Sequence, residues 1–158
     1  MSTARTLTLA FHHAADDFIS RVMAWFTHGG PTHVAMVSPD GEWVIEASSM
    51  GRPKGVRIVA FSTWARRHPG YELCTVPHPA SQQVWALAGT QVGKAYDWGW
   101  IWGWLLRNKS LQAPERWTCS ELIHWAAAET GHPIFTLDDM GWHISPRMLR
   151  AMAAPIHN

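Results

Sequence analysis

Two β-like runs, His33 to Val37 and Glu42 to Ala47, flank the tetrapeptide Ser38-Pro39-Asp40-Gly41. Proline presets φ, aspartate bonds its own backbone two residues on, and glycine accepts a positive φ, so this is turn chemistry. The segment forms a β-hairpin, and neighbouring runs extend it. Thr6 to Phe11 alternates polar and apolar residues, and Gly55 to Val59 and Tyr71 to Val76 are also short strands. Helical spacing is expected over Asp16–Phe26, Phe61–Arg67, Ser81–Val92, Thr118–Thr130 and Arg147–Met152. Strands that follow one another without β-α-β alternation point to the α+β class, an antiparallel sheet packed against helices.

Composition narrows the function classes. The 158 residues are 47% apolar and 16% charged, enough to bury one core and too few charges for a disordered chain. A single domain over 1–158 is expected. Net charge is +1, with no basic excess to drive nucleic-acid binding. Two cysteines, Cys74 and Cys119, are too few for a disulfide scaffold. The start MSTARTLTLAFHH lacks a signal peptide's apolar region, and Trp98–Leu106 is too short to span a bilayer, so a cytoplasmic location is expected. The 10 histidines show neither HExxH spacing nor a CxxC partner, and neither a metal nor another cofactor is expected.

The sharpest local signal is Trp117-Thr118-Cys119-Ser120-Glu121-Leu122. Thr118 followed three residues later by Glu121 is a capping box, which puts Cys119 in the first turn of a helix. Unpaired N–H groups and the helix dipole there favour an anion, and the thiolate is the nucleophilic form of cysteine. On its own the same pattern also fits an ordinary cap beside a small buried residue.

A nucleophilic cysteine needs a base, and the base needs an orienting group. His124 lies five residues along the same helix, roughly 500° of rotation from Cys119 and off its face. His33 opens one hairpin strand and Glu46 lies on the other. With a two-residue turn closed by Ser38 and Gly41, His33 faces Glu46 directly, their Cβ atoms about 4.5–5.5 Å apart. A bulged three-residue loop would instead turn Glu46 to the opposite face. Both registers are compatible with the turn residues.

Taken together, His33, Val44-Ile45-Glu46-Ala47, Gly93-Lys94-Ala95-Tyr96-Asp97-Trp98-Gly99 and Thr118-Cys119-Ser120-Glu121-Leu122 resemble the circularly permuted NlpC-type papain-like proteins, the YiiX/YebB-like branch in particular. The likeness runs from about Leu7 to Gly131. It implies a permuted papain-like fold, with a helix that begins at the nucleophile packed on an antiparallel sheet. It also implies a Cys119–His33–Glu46 triad, with Tyr96 near the oxyanion. The reaction implied is hydrolysis or acyl transfer at an amide, thioester or ester. The substrates implied are cell-wall peptides, peptide or isopeptide bonds, or lipid acyl groups. Trp98, Trp117 and Ser120 are the expected substrate contacts.

Two features depart from the family pattern: no Gly-Asp precedes the first strand, and Trp98–Trp117 is rich in tryptophan. Trp98, Trp100, Trp102 and Trp104 would share one face of an extended segment. Such a face fits an aromatic wall for substrate, a weak membrane-surface contact, or plain core packing. A catalytically silent module that holds a lipid or peptidoglycan fragment in the same cleft is the competing reading. It would be favoured by the bulged register, the hydrolase by the even one.

Overall fold

The computed structural model describes residues 6–13, 21, 30–49, 53–97, 115–136 and 144–156. Of the expected helix over Asp16–Phe26 only Arg21 is among the described residues, where it is helical, and the Trp98–Trp104 segment, Trp98 included, lies outside them.

The class is α+β, as the run of adjacent strands requires. The strands are β1 (Thr6–His12), β2 (His33–Val37), β3 (Trp43–Ser48), β4 (Gly55–Ala60), β5 (Glu72–Pro77) and β6 (Ala154–Pro155). Among the described residues the helices are α1 (Phe61–Arg67), α2 (Ser81–Gly89), α3 (Cys119–Glu129) and α4 (Pro146–Ala151). The strands form one six-stranded sheet in the order β4-β3-β2-β1-β5-β6, and every pairing is antiparallel. None of these helices is long and apolar enough to cross a membrane.

Strand alternation divides the buried residues between the two faces of the sheet. On one face Leu9, Phe11, Val34, Met36, Ile45 and Cys74 meet Val84 of α2 and Leu122, Ile123 and Ala126 of α3. On the other face Ala10, Ala35, Val37 and Val44 pack on Trp64 of α1, with Val59, Phe61, Tyr71 and Leu73 at the margin. His12, His33 and Glu46 alternate with residues of the first set and therefore share the α1 face.

The hairpin closes two residues later than expected. Val37 pairs with Val44 and Met36 with Ile45, and Ser38 N–H bonds the Trp43 carbonyl at 2.8 Å. The reason lies in the loop side chains. Gly41 N–H does bond the Ser38 carbonyl at 2.9 Å, as a type I turn requires, and Gly41 then takes φ +79°. Asp40 Oδ1 next accepts from Glu42 N–H at 3.0 Å, and Ser38 Oγ from Trp43 N–H at 2.9 Å. Those two bonds stabilise a loop running from Pro39 to Glu42. The slip is even, so every side chain keeps its face. His33 and Glu46 become diagonal instead of direct neighbours.

Helix α2 is also shorter than its apolar spacing predicts. It stops at Gly89, and Lys94 N–H turns back to the Gln91 carbonyl at 3.1 Å, with Gly93 at φ +92°. This turn leads into the segment that carries Tyr96.

Candidate active site

Helix α3 begins as its capping box dictates. Thr118 Oγ1 accepts from Glu121 N–H at 3.4 Å, and Glu121 Oε2 accepts from Thr118 N–H at 3.2 Å and from its hydroxyl at 2.9 Å. Cys119 is therefore the first helical residue, at a position whose N–H has no intrahelical acceptor. It is 5% exposed. Ser120 points inward, and its hydroxyl donates to the Ile144 carbonyl at 2.5 Å, tying α3 to the segment before α4.

His33 stands at the start of β2 with its side chain 17% exposed. Its Nε2 meets Glu46 Oε2 at 2.6 Å, a contact that takes Nε2–H as donor. Burial alone would lower the His33 pKa. The hydrogen bond with the Cys119 side chain, the Glu46 bond and the two negative charges outweigh it, and the pKa is pushed up to about 10. Because Nε2 is occupied by Glu46, Nδ1 is the ring nitrogen left for the thiol. Cys119 belongs to the core cluster on one face and His33 follows the alternation of the other. They meet at the rim of the sheet, where β2 begins.

Glu46 is 1% exposed and has more partners than hairpin logic provides. Arg57, its direct cross-strand neighbour on β4, donates from Nε to Oε1 at 2.8 Å, and its Nη2 forms an ion pair with the same oxygen at 2.7 Å. Trp64 Nε1 donates to Oε2 at 2.9 Å. Burial would raise the Glu46 pKa, but His33 and Arg57 hold it well below the usual carboxylate range. The sequence reading missed Arg57 and Trp64. The signal for Arg57 was an opposite charge on the adjacent strand, readable only once the β3–β4 register is known.

His68 belongs to no sequence motif. It caps α1, four residues after Trp64, and stacks on that indole at 4.3 Å between ring centroids. Its ring also stacks on His33 at 5.4 Å and meets His12 edge-on at 4.9 Å. Its Nδ1–H donates to the Trp64 carbonyl at 2.9 Å, and burial lowers its pKa. Ligand atoms of His33, Glu46 and His68 lie within 4.8 Å of one another, a spacing that could hold a metal ion. The Glu46 oxygens, however, already carry three hydrogen-bond donors and an ion pair with a permanent cation. The chemistry of this donor set favours a hydrogen-bonded cluster.

Tyr96 reaches the site through backbone pairing. Gly93 N–H bonds Val56 O, and Val56 N–H bonds Lys94 O, each at 2.9 Å, which fastens this segment to β4. Tyr96 then forms a parallel bridge with Trp117, two residues before Cys119. Burial, with the negative charges of Cys119, Glu121 and Asp97, pushes its pKa well above the ordinary tyrosine value, so the phenol stays protonated. Trp117 is half-buried, donates from Nε1 to Gln91 Oε1 at 3.2 Å, and packs on Trp125 at 5.0 Å. His124 packs on Phe135 at 5.8 Å, and Cys74 is buried in β5.

Comparison of the chain with protein-family models, with curated proteins and with solved structures finds no match to any of them.

Proposed function

We propose that this protein is a papain-like cysteine hydrolase or acyltransferase, with Cys119 as nucleophile, His33 as acid–base and Glu46 as orienting carboxylate. The observation that carries the reading is the line Cys119–His33–Glu46. A thiol stands at a helix N-terminus, the His33 imidazole is its hydrogen-bonding neighbour, and a buried carboxylate sits 2.6 Å from Nε2 of that ring. The resemblance to circularly permuted NlpC-type proteins supplies the same three roles in the same chain order. The even hairpin slip, which leaves Glu46 on the His33 face, favours a catalytic site over a silent binding module.

The chemistry follows from the roles. The thiol proton resides on His33, giving a thiolate–imidazolium pair. The thiolate attacks a carbonyl carbon and forms a C–S bond. Charge on the carbonyl oxygen is met by the Cys119 N–H and the Tyr96 hydroxyl. Removing a donor of this kind costs about 2.7–4 kcal/mol of barrier. His33 hands its proton to the leaving amine, alcohol or thiol as that bond breaks. Water, or another acceptor, then loses a proton to His33, attacks the thioester and releases the thiol. Amides, thioesters and esters all suit this sequence. Cell-wall peptides, other peptide or isopeptide bonds and lipid acyl groups are the substrates that the resemblance implies.

The test is thiol alkylation followed by mass spectrometry, in wild type, Cys74→Ala and His33→Ala. Cys119 is expected to label at neutral pH, and His33→Ala to slow it at least about tenfold, because the thiolate loses its cation. Labelling no faster than a peptide thiol, and indifferent to His33, would overturn the reading.

A further inference from the structure

A carboxylate offers about four lone-pair positions. At Glu46 both oxygens are engaged: Arg57 Nε donates to Oε1 and its Nη2 forms an ion pair with that oxygen, while His33 Nε2 and Trp64 Nε1 bond Oε2, at 2.6 to 2.9 Å. A proton added to Glu46 would displace one of these partners. Arg57 cannot surrender its charge, and an indole N–H only donates. The one mobile proton in the cluster is therefore the one on His33. Arg57 is itself anchored, since Nη1 donates to the Pro53 carbonyl at 3.1 Å and the residue is buried in β4.

Charge balance leads to the same place. The groups that face His33 and Glu46 are His12 from β1, Arg57 from β4, Trp64 and His68 from α1, and Cys119 from α3. Of these, Arg57 is the permanent cation, and burial keeps His68 toward its neutral form. With Arg57 in place, Glu46 is neutralised independently of His33, and the thiolate–imidazolium pair sits beside a balanced partner. Without it, a buried and uncompensated carboxylate can become neutral by drawing the proton from His33.

We propose, resting on the triad reading above, that Arg57 is a positioning residue of the site: by filling Glu46 Oε1 it keeps Glu46 a carboxylate, so that the shared proton stays on His33 and the imidazolium persists for Cys119.

The test uses the full chain with Arg57→Met and Arg57→Lys, folding being checked by circular dichroism. In Arg57→Met the acidic limb of Cys119 alkylation should move to higher pH, with rates about tenfold lower near pH 6 and an unchanged alkaline plateau. This is the sign expected when a thiolate loses both a neighbouring cation and an imidazolium. Arg57→Lys keeps the charge but not the fork, so its shift should be smaller and in the same direction. The second arm reads the carboxyl directly in a Cys119→Ala background. The infrared stretch of a protonated carboxylic acid should appear near neutral pH in Arg57→Met, be absent with Arg57 or Lys, and vanish when Glu46→Gln is added. A folded Arg57→Met with an unmoved limb and no such band would overturn the proposal. If Arg57→Met does not fold, an unmoved limb in Arg57→Lys does so. If wild-type Cys119 proves unreactive, the hydrolase reading fails, and the infrared arm still decides the role of Arg57.

Discussion

The ionisation of His33 couples the site to the stability of the protein. Its pKa rises from 6.5 to about 10 on folding. A group whose folded pKa is raised contributes stability that is complete below the unfolded value and lost as pH climbs through the folded one. Urea midpoints of the wild type should therefore fall between about pH 6.5 and pH 10, and His33→Ala should flatten that slope. An unchanged slope in the variant would assign the loss to other groups. The helix start at Cys119 and the facing strands of His33 and Glu46 were legible from sequence, while the face of Glu46 stayed open between two registers until the strand pairing fixed it. A capping box and a strand of period two are local patterns, and a register error of two leaves every face unchanged. Arg57, Trp64 and His68 were not, because each becomes a neighbour only through strand pairing or through α1 folding over the sheet.

At the scale of the element, the start of α3 carries a second titrating group. Burial raises the Glu121 pKa to about 7, against the opposing pull of its Thr118 bonds, and the Asp97 charge adds to the rise. The sign is the reverse of an ordinary capping carboxylate. Stability is greatest below the unfolded value of 4.5 and declines as pH rises through 7. Glu121→Gln keeps a side chain able to cap, so it should be more stable than wild type at pH 8 and lack this decline. A lower melting temperature for Glu121→Gln at pH 8 would contradict this account. Most elements were legible, and the strands around the hairpin nearly to the residue, because propensity and burial pattern agree there. The exceptions have physical causes. Helix α2 ends early because the Gln91–Gly93 turn is needed to bring the next segment back to β4. Strand β6, only Ala154–Pro155, has no pattern of its own and exists because Ile156 N–H bonds Leu73 O at 2.9 Å. The loop from Pro39 to Glu42 is two residues longer than expected because side-chain acceptors, and not backbone twist alone, set its length.

Over the whole molecule, the site depends on one close backbone approach. Gly55 has φ +111°, and a Cβ there would stand 2.1 Å from the Lys94 carbonyl oxygen. Gly55→Ala should therefore displace the Gly93–Tyr96 segment and destabilise the protein by more than about 1 kcal/mol, since both the φ and the space exclude a side chain. On the proposed function, acyl transfer should fall further than His33-dependent alkylation, because Tyr96 moves while the Cys119–His33 contact is made elsewhere. Equal losses in the two assays would place Tyr96 outside the oxyanion site. The faces of the sheet were legible in the alternation of each strand. Their joint use was not, because the meeting of Cys119 with His33 at the rim depends on where α3 docks.

The order of these parts along the chain bears on biosynthesis. His33, Glu46, Arg57 and Trp64 all precede Cys119, and they lie on three consecutive strands and the short helix after them. Chains emerge from the ribosome N-terminus first. On the reading proposed above, the base and its charged support are thus synthesised before the nucleophile, and the sheet rim can form around an imidazole with no thiol beside it. On that reading Cys119 gains its cation only when α3 docks, so the nascent polypeptide carries its thiol in a dormant form until that helix is in place.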